Sequence, residues 1–208
     1  YAATTPTDPE VLKMMLPYFG REYSNASSMH SSGRRAGQAI ADARSLVASI
    51  LKCEPKEIIF TGSGTESDNL ALLGVARAYK SEGNHIIISS IEHKAVTESA
   101  QYLREEGFKV SITPVMADGL IDVSALMALV TEKTILISVM YANNEIGTIQ
   151  PIQEIASRLQ LWKSARGNRI MPFIHTDACQ AAGALSLDVK KLGVDLMTIN
   201  SSKIYGPK

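Results

Sequence analysis

Short runs of isoleucine, valine and leucine recur along this chain, and longer helix-like stretches separate them. Buried parallel strands have this continuous apolar character, and the helices between them cover both faces of their sheet. The pattern therefore predicts an α/β fold with a mostly parallel sheet. We predict strands at residues 57–61, 85–90, 109–113, 134–140, 173–177 and 196–199, and helices at residues 32–51, 65–80, 94–106, 123–130 and 152–165.

The charge balance argues against several classes of function. The 208 residues include 21 basic and 21 acidic side chains, a net charge of +0, which disfavours charge-driven binding to nucleic acids or membrane surfaces. No apolar run approaches the roughly 18 residues of a membrane span, and no signal-peptide pattern is present. Cys53 and Cys179 do not form a disulfide framework, which favours a reducing, cytoplasmic location.

Polar residues follow most of the predicted strands. Ligands of such sheets bind beyond the carboxyl ends of the strands, so we expect these side chains to converge on one rim. The groups are the loop 62–65, Glu92 with His93, the turn 143–145, Asp177 with Gln180, and Lys203.

The loop Gly62-Ser63-Gly64-Thr65 combines glycines and hydroxyls at the start of a predicted helix, as in a backbone cradle for an anion. Ser67 stands where a dinucleotide fingerprint needs its third glycine, and the Gly-Lys-Ser/Thr of a P-loop is missing, so both nucleotide sites are disfavoured. The alternative is a plain strand-to-helix turn with Ser63 or Thr65 as the N-cap.

Lys203 follows an apolar run and precedes a Gly-Pro turn. Burial lowers the pKa of a lysine and makes its amine a nucleophile, whereas a solvated lysine at a strand end has no such role. His93 could instead be a structural histidine, and Asp177 could instead cap the turn that follows its strand. Cys179 has no evident activating partner and is most simply a small buried residue.

Taken together, these groups fit pyridoxal phosphate. This cofactor needs a lysine for its aldehyde, a carboxylate for its ring nitrogen and a cradle for its phosphate. Lys203, Asp177 and Thr65 can supply these three groups. His93 can supply a flat group for the ring face, and Asn144 with Gln180 can supply donors for the phenolic oxygen.

Five motifs of the chain resemble the cysteine desulfurases, which are class V aminotransferase-type enzymes: 2–6 (AATTP), 65–69 (TESDN), 91–96 (IEHKAV), 143–147 (NNEIG) and 203–208 (KIYGPK). The resemblance covers the whole chain. The motifs at 92–96 and 143–147 are similar to those of the branch that serves iron–sulfur cluster assembly. It implies the large domain of a fold-type-I pyridoxal-phosphate transferase, with a mostly parallel mixed sheet. We expect an N-terminal segment at 1–30 and the cofactor-binding domain at 31–208.

The resemblance also implies roles for individual residues. Lys203 would carry the cofactor covalently, and His93 would stack on its ring and move protons. Asp177 would pair with the ring nitrogen. The remaining expected cofactor contacts are Gly64, Thr65, Asn144, Gln180, Asn200 and Ser202. Ser202 departs from the family, which usually has histidine there, so the phosphate would lose a positive charge. No metal ligand is expected.

The function implied is removal of sulfur from L-cysteine, giving alanine and an enzyme persulfide for iron–sulfur cluster or thio-cofactor assembly. The expected partners are a second subunit in a homodimer and sulfur-acceptor or scaffold proteins. Relatives continue into a last strand and a small C-terminal domain with the sulfur-accepting cysteine, so we expect these residues alone to be inactive. The alternatives are another class V lyase or transaminase, such as selenocysteine lyase, and a non-catalytic binding or dimerisation module.

Overall fold

The computed structural model describes residues 1–167 and 169–208. They form two compact units, which are described separately below. The first unit contains residues 1–60 and 201–208, and the second contains the described residues from 61 to 200.

The first unit contains the helices α1 (Pro9–Met15) and α2 (Ser31–Leu51). Each helix begins after a side chain that accepts a hydrogen bond from a first-turn amide, Asp8 for α1 and His30 for α2. Helix α2 agrees with the predicted range. Helix α1 lies in the N-terminal segment, for which we predicted no helix, and the Asp8 cap and Pro9 at the first helical position stabilise it.

The last residues of the chain pair with its first residues inside this unit. The Thr5 amide donates to the Ser202 carbonyl at 2.9 Å, and the Asp8 amide donates to the Tyr205 carbonyl at 2.9 Å. A 3₁₀ turn, Ser201–Lys203, lies within the paired segment. Lys203 is therefore held beside the N-terminal residues of its own unit.

The predicted strand at 57–61 is wrong. A 3₁₀ turn, Pro55–Glu57, stands at its start, and the following residues take no regular structure. The Ile58 carbonyl accepts a hydrogen bond from the Arg44 guanidinium, and the same guanidinium lies 4.9 Å from the centre of the Phe60 ring. Because no strand in the described part of the chain pairs with this segment, its apolar run does not form a strand.

The second unit is built on one five-stranded sheet in the order β2-β1-β3-β4-β5. Every neighbouring pair is parallel, which confirms the predicted parallel α/β sheet. The antiparallel member of the expected mixed sheet does not occur among these five strands. Their bounds are β1 (His85–Ser89), β2 (Lys109–Thr113), β3 (Thr134–Ser138), β4 (Phe173–Asp177) and β5 (Leu196–Thr198).

Helices cover both faces of this sheet, as predicted. Ile86 belongs to a buried cluster with the helices at residues 64–78 and 94–105, whereas its neighbour Ile87 belongs to a cluster with the helices at residues 123–129 and 152–164, because successive strand residues point to opposite faces. Each fully buried isoleucine or leucine contributes roughly 1.5–3 kcal/mol. The helices of the unit are α3 (Gly64–Ala78), α4 (Lys94–Glu105), α5 (Val123–Leu129), α6 (Ile152–Ser164) and α7 (Val189–Leu192).

Two helix starts and one strand end bring polar residues together in this unit. Asp177 is the last residue of β4, Gly64 is the first residue of α3, and His93 immediately precedes α4. None of the helices in the described ranges is long and apolar enough to cross a membrane.

Candidate functional site

Asp177 lies at the centre of the candidate site. Its side chain is buried, and its Oδ1 accepts a hydrogen bond from the Cys179 amide at 2.9 Å. A carboxylate oxygen of Asp177, a carboxylate oxygen of Asp68 and a ring nitrogen of His93 all lie within 4.8 Å of one another. The structure therefore joins two predicted site residues, Asp177 and His93, with an aspartate that the sequence analysis did not select.

His93 is both part of this cluster and the N-cap of α4. Its Nδ1 accepts a hydrogen bond from the Ala95 amide at 3.1 Å, and the residue itself is exposed. Because Nδ1 is engaged as an acceptor, the imidazole carries its proton on Nε2. Nε2 is therefore the ring nitrogen that can donate a hydrogen bond to a ligand.

The N-terminus of α3 is open to a ligand. Ser63 is its N-cap, accepting a hydrogen bond from the Glu66 amide at 3.1 Å, so Ser63 rather than Thr65 takes the capping role. The helix leaves the first-turn amides of Gly64 and Thr65 without intrahelical acceptors. Thr65 is exposed, which leaves its hydroxyl accessible.

Gly64 is closely surrounded at this helix start. A β-carbon on Gly64 would lie 3.1 Å from Asn200 Nδ2 and 3.2 Å from Cys179 Sγ. Cys179 thus contacts both the glycine at the start of α3 and, through its amide, the Asp177 carboxylate. The start of α3, the Asn200 side chain and the Asp177 carboxylate therefore form one continuous site.

Asp68 and His175 are functional candidates that the sequence analysis missed. Asp68 is 1% exposed and lies one helical turn after Gly64. Its Oδ1 lies 3.6 Å from Nε2 of His175, which is fully buried in β4. Burial, followed by the charge of Asp177, raises the pKa of Asp68 to about 7. A polar residue on the apolar face of α3 was the available signal.

His175 is neutral in this environment. Its Nδ1 lies 2.9 Å from the Ser138 hydroxyl, and its Nε2 lies 3.1 Å from the Thr198 hydroxyl. Burial lowers the pKa of the imidazole to about 4, despite the opposing attraction of Asp177. His175 therefore links three neighbouring strands as a hydrogen-bonded neutral group.

Glu92 was expected on the rim beside His93 but was given no role. Its Oε1 accepts hydrogen bonds from the Ser89 hydroxyl and, at 2.7 Å, from the Met140 amide. Its Oε2 is buried and has no hydrogen-bond partner in the described chain. Burial raises the pKa of Glu92 to about 8, so the carboxyl is protonated at neutral pH.

The predicted asparagine turn ties two loops together. Asn143 Oδ1 accepts hydrogen bonds from the amides of Glu145 and Ile146, at 2.8 and 3.0 Å, and its Nδ2 donates to the Ile91 carbonyl at 3.0 Å. Asn143 therefore has the structural role of a turn residue. Its neighbour Asn144 is half-buried, as is Gln180.

Residues 1–208 match the "Aminotransferase class-V" family along their full length. The chain belongs to the class V aminotransferase family. The family's cofactor is pyridoxal phosphate, and the curated relatives are named cysteine desulfurases.

Three curated relatives illustrate the similarity of this class V chain. "Cysteine desulfurase IscS" of Clostridium botulinum is 46% identical over 208 residues, which are 100% of this chain and 50% of the relative. The protein of the same name from Ehrlichia chaffeensis is 49% identical, again over 100% of this chain and 48% of the relative. "Cysteine desulfurase, mitochondrial" of Drosophila melanogaster is 47% identical over 99% of this chain and 43% of the relative. The chain spans about half the length of these relatives.

Solved structures agree with this family assignment. A structure described as "NIFS-LIKE PROTEIN" matches with a TM-score of 0.92 and 39% identity, covering 100% of this chain and 55% of that one. "SspA in complex with cysteine" matches with a TM-score of 0.90 and 37% identity, covering 100% and 58%. The fold is thus that of pyridoxal-phosphate-dependent transferases.

The donors of the second unit fit the family's cofactor. A buried carboxylate at Asp177 suits a protonated ring nitrogen, and the open amides at the start of α3 suit a phosphate. The absence of a β-carbon on Gly64 leaves room for close approach beside Cys179 and Asn200. Both donors belong to the continuous site described above.

Ser202 and Lys203 lie in the first unit and are described there. Lys203 Nζ donates to the carbonyls of Ala2, at 3.3 Å, and Ala3. Ser202 is half-buried, and its carbonyl accepts a hydrogen bond from the Thr5 hydroxyl at 3.1 Å. The lysine amine is therefore a donor to backbone carbonyls near the N-terminus.

Proposed function

We propose that this class V chain belongs to a cysteine desulfurase that uses pyridoxal phosphate to remove sulfur from L-cysteine, giving alanine and an enzyme persulfide for iron–sulfur cluster or thio-cofactor assembly. The names of the relatives at 46–49% identity support this activity. The observation that carries the proposal is the position of the buried Asp177 at the end of β4. A side-chain oxygen of Asp177 lies within 4.8 Å of a ring nitrogen of His93. Cys179, whose amide donates to Asp177, also lies beside Gly64 at the start of α3.

Asp177 would hold the ring nitrogen. When bound, pyridoxal phosphate supplies an electron sink for the carbon that bears the substrate amine. A buried carboxylate stabilises a proton on the adjacent nitrogen, because opposite charges attract strongly where water is excluded. The Cys179 amide, which donates to Oδ1 of Asp177 at 2.9 Å, holds the carboxylate in position.

The start of α3 would bind the phosphate. The amides of Gly64 and Thr65 point out of the helix, and the helix dipole favours an anion there. Asn200, beside Gly64, and the hydroxyls of Thr65 and Ser202 would complete the phosphate site. Ser202 donates without a positive charge, so the helix terminus would provide most of the electrostatic attraction.

His93 and Lys203 would contact the cofactor ring and move protons during the reaction. The cap bond to Ala95 orients the imidazole, which would stack on the cofactor ring and help to move protons. Lys203 would bind the cofactor covalently and move the substrate α proton, exchanging its present bonds to the Ala2 and Ala3 carbonyls for these contacts. Asn144 and Gln180 would lie near the phenolic oxygen.

The wider setting is also part of this proposal. We place the activity in a cytoplasmic homodimer that delivers sulfur to acceptor or scaffold proteins, and we keep residues 1–30 and 31–208 as the proposed domain division. A chain with two cysteines, Cys53 and Cys179, and no disulfide framework suits a reducing compartment.

The test is to supply the purified protein and its cofactor with L-cysteine and to measure alanine, sulfide and protein-bound persulfide. We expect alanine and persulfide to form together. The same assay with L-selenocysteine tests the alternative lyase, because turnover of that substrate alone would contradict a desulfurase. A protein that binds no cofactor would instead support the non-catalytic module.

A further inference from the structure

Asp68 is a second buried carboxyl next to the proposed ring-nitrogen site. It is 1% exposed, its Oδ1 has no hydrogen-bond partner among the described residues, and it shares the 4.8 Å cluster with Asp177 and His93. Helix α3 positions this carboxyl one turn after Gly64, at the helix end proposed to bind phosphate. The desulfurase mechanism outlined above assigns it no role.

The groups that face Asp68 come from several elements. Asp177 and His175 face it from β4, at the distances given above, and the Thr198 hydroxyl of β5 hydrogen-bonds to it. His93 faces it from the start of α4. The charge of Asp68 also acts on Glu92, which lies in the loop after β1.

Two carboxylates in such a small, water-excluding space cannot both be charged without a large electrostatic cost. His175 cannot offset that cost, because it stays neutral. One proton must therefore be held by the pair. A backbone amide donates to Asp177, whereas the Oδ1 that has no hydrogen-bond partner among the described residues belongs to Asp68, so the proton is placed on Asp68.

We propose that Asp68 is a positioning residue for the proton on the cofactor nitrogen: it holds a proton while Asp177 faces no cation, and it releases that proton to solvent when the protonated ring nitrogen binds at Asp177. The second negative charge then helps to keep the ring nitrogen protonated. This proposal rests on the proposed function and extends it to a residue that would not contact the cofactor's reacting atoms.

The direction of proton transfer follows from burial. Asp68 is already almost fully buried, so a bound cofactor adds little further desolvation. The new positive charge therefore dominates, and it lowers the pKa of Asp68 from its raised value of about 7. Near pH 6.5, most Asp68 side chains would lose a proton when the cofactor binds.

The experiment is calorimetry of pyridoxal phosphate binding to the cofactor-free protein at pH 6.5, in two buffers of different ionisation enthalpy. We expect the wild type to release more protons than Asp68→Asn, by about 0.5–1 proton per site. Glu98→Gln, which removes an exposed acid on α4, is the control and should match the wild type. Equal proton counts in wild type and Asp68→Asn would overturn the proposal, because a purely structural role changes affinity without changing protons.

A second measurement does not depend on the folding of Asp68→Asn. Infrared difference spectra of Glu92→Gln, with and without cofactor, should show the loss of one protonated-carboxyl band on binding, since the substitution removes the other protonated acid. An unchanged band would overturn the proposal. Failure of the proposed function gives a different result, because then pyridoxal phosphate would not bind or would bind independently of Asp177.

Discussion

The amide of Cys179 donates to Asp177 Oδ1 at 2.9 Å, while the sulfur of the same cysteine lies 3.2 Å from the position of a β-carbon on Gly64. A single small residue therefore sets the spacing between the carboxylate and the start of α3. A larger side chain in place of Cys179 would have to displace one of them.

Lys203→Ala should abolish covalent attachment of the cofactor. The substitution removes the only amine that the proposal assigns to the aldehyde, so the yellow absorbance of the lysine-linked form should be lost. Mass spectrometry after borohydride reduction measures the linkage, and Lys190→Ala, on an exposed lysine of α7, is the control. Cofactor still linked to the Lys203→Ala protein would rule out this assignment.

Asp177→Asn should reduce turnover far more than cofactor content. An amide cannot stabilise a proton on the ring nitrogen by charge, and losing such a group costs about 10² or more in rate. Asp118→Asn is a matched control, because Asp118 accepts a hydrogen bond from the Leu120 amide in an exposed turn away from the candidate site. Turnover near wild type in Asp177→Asn would make Asp177 a turn cap.

Gly64→Ala should weaken pyridoxal phosphate binding. The added methyl group would meet Asn200 Nδ2 at 3.1 Å and Cys179 Sγ at 3.2 Å, forcing both to shift at the phosphate site. Crowding of this kind costs about 1–3 kcal/mol. Fluorescence titration of the cofactor-free protein measures the change in Kd.

Gly74→Ala in the same helix is the matched control for that substitution. Within the described part of the chain, its added β-carbon meets no atom within 4 Å beyond the adjoining backbone, so it should leave the Kd unchanged and raise stability by about 0.5–1 kcal/mol. Equal Kd values for both alanine variants would argue against a phosphate site at the start of α3.

Glu92→Gln should flatten the pH dependence of stability in the cofactor-free protein. The pKa of Glu92 rises from 4.5 to about 8 on folding, so between these values the folded state binds a proton that the unfolded state lacks. Stability therefore falls as pH rises through this window, by at most roughly 1.4 kcal/mol per pH unit for this group. Glutamine stays neutral and can still accept from Ser89 and Met140.

Thermal unfolding at pH 7 and pH 8 checks this effect, because His175 titrates below this range. The pKa of His175 falls from 6.5 to about 4 on folding, so its contribution to stability is lost only as pH falls below about 6.5. In the variant, Asp68, whose pKa is about 7, still causes a smaller decline in stability between pH 7 and 8. The same decline between pH 7 and 8 in both proteins would contradict a buried, protonated Glu92.

The strands of the second unit were predictable because each is a continuous apolar run whose limits are set by local sequence. The apolar run at 57–61 has the same appearance, but a strand also needs a neighbour, and Arg44 instead engages Ile58 and Phe60. Pairing is a property of the whole chain, which the local pattern does not contain.

Some residues of the candidate site could likewise be predicted from the sequence, and others could not. Asp177 and His93 were predictable because they follow apolar strands and carry recognisable chemistry. Asp68 was not selected and Glu92 was given no role, because their importance comes from burial near the charge of Asp177, and burial of a carboxyl depends on which elements pack together. Their sequence context is that of ordinary acids near the start of a helix.

The cap bond between Ala95 and His93 makes an amide hydrogen of α4 a reporter of proton traffic at the imidazole. When Nδ1 gains a proton it can no longer accept, so the Ala95 amide loses its partner and exchanges with solvent faster. A nuclear magnetic resonance signal from one backbone position would thus follow the charge of His93 while the cofactor, the substrate and the reaction itself remain unlabelled.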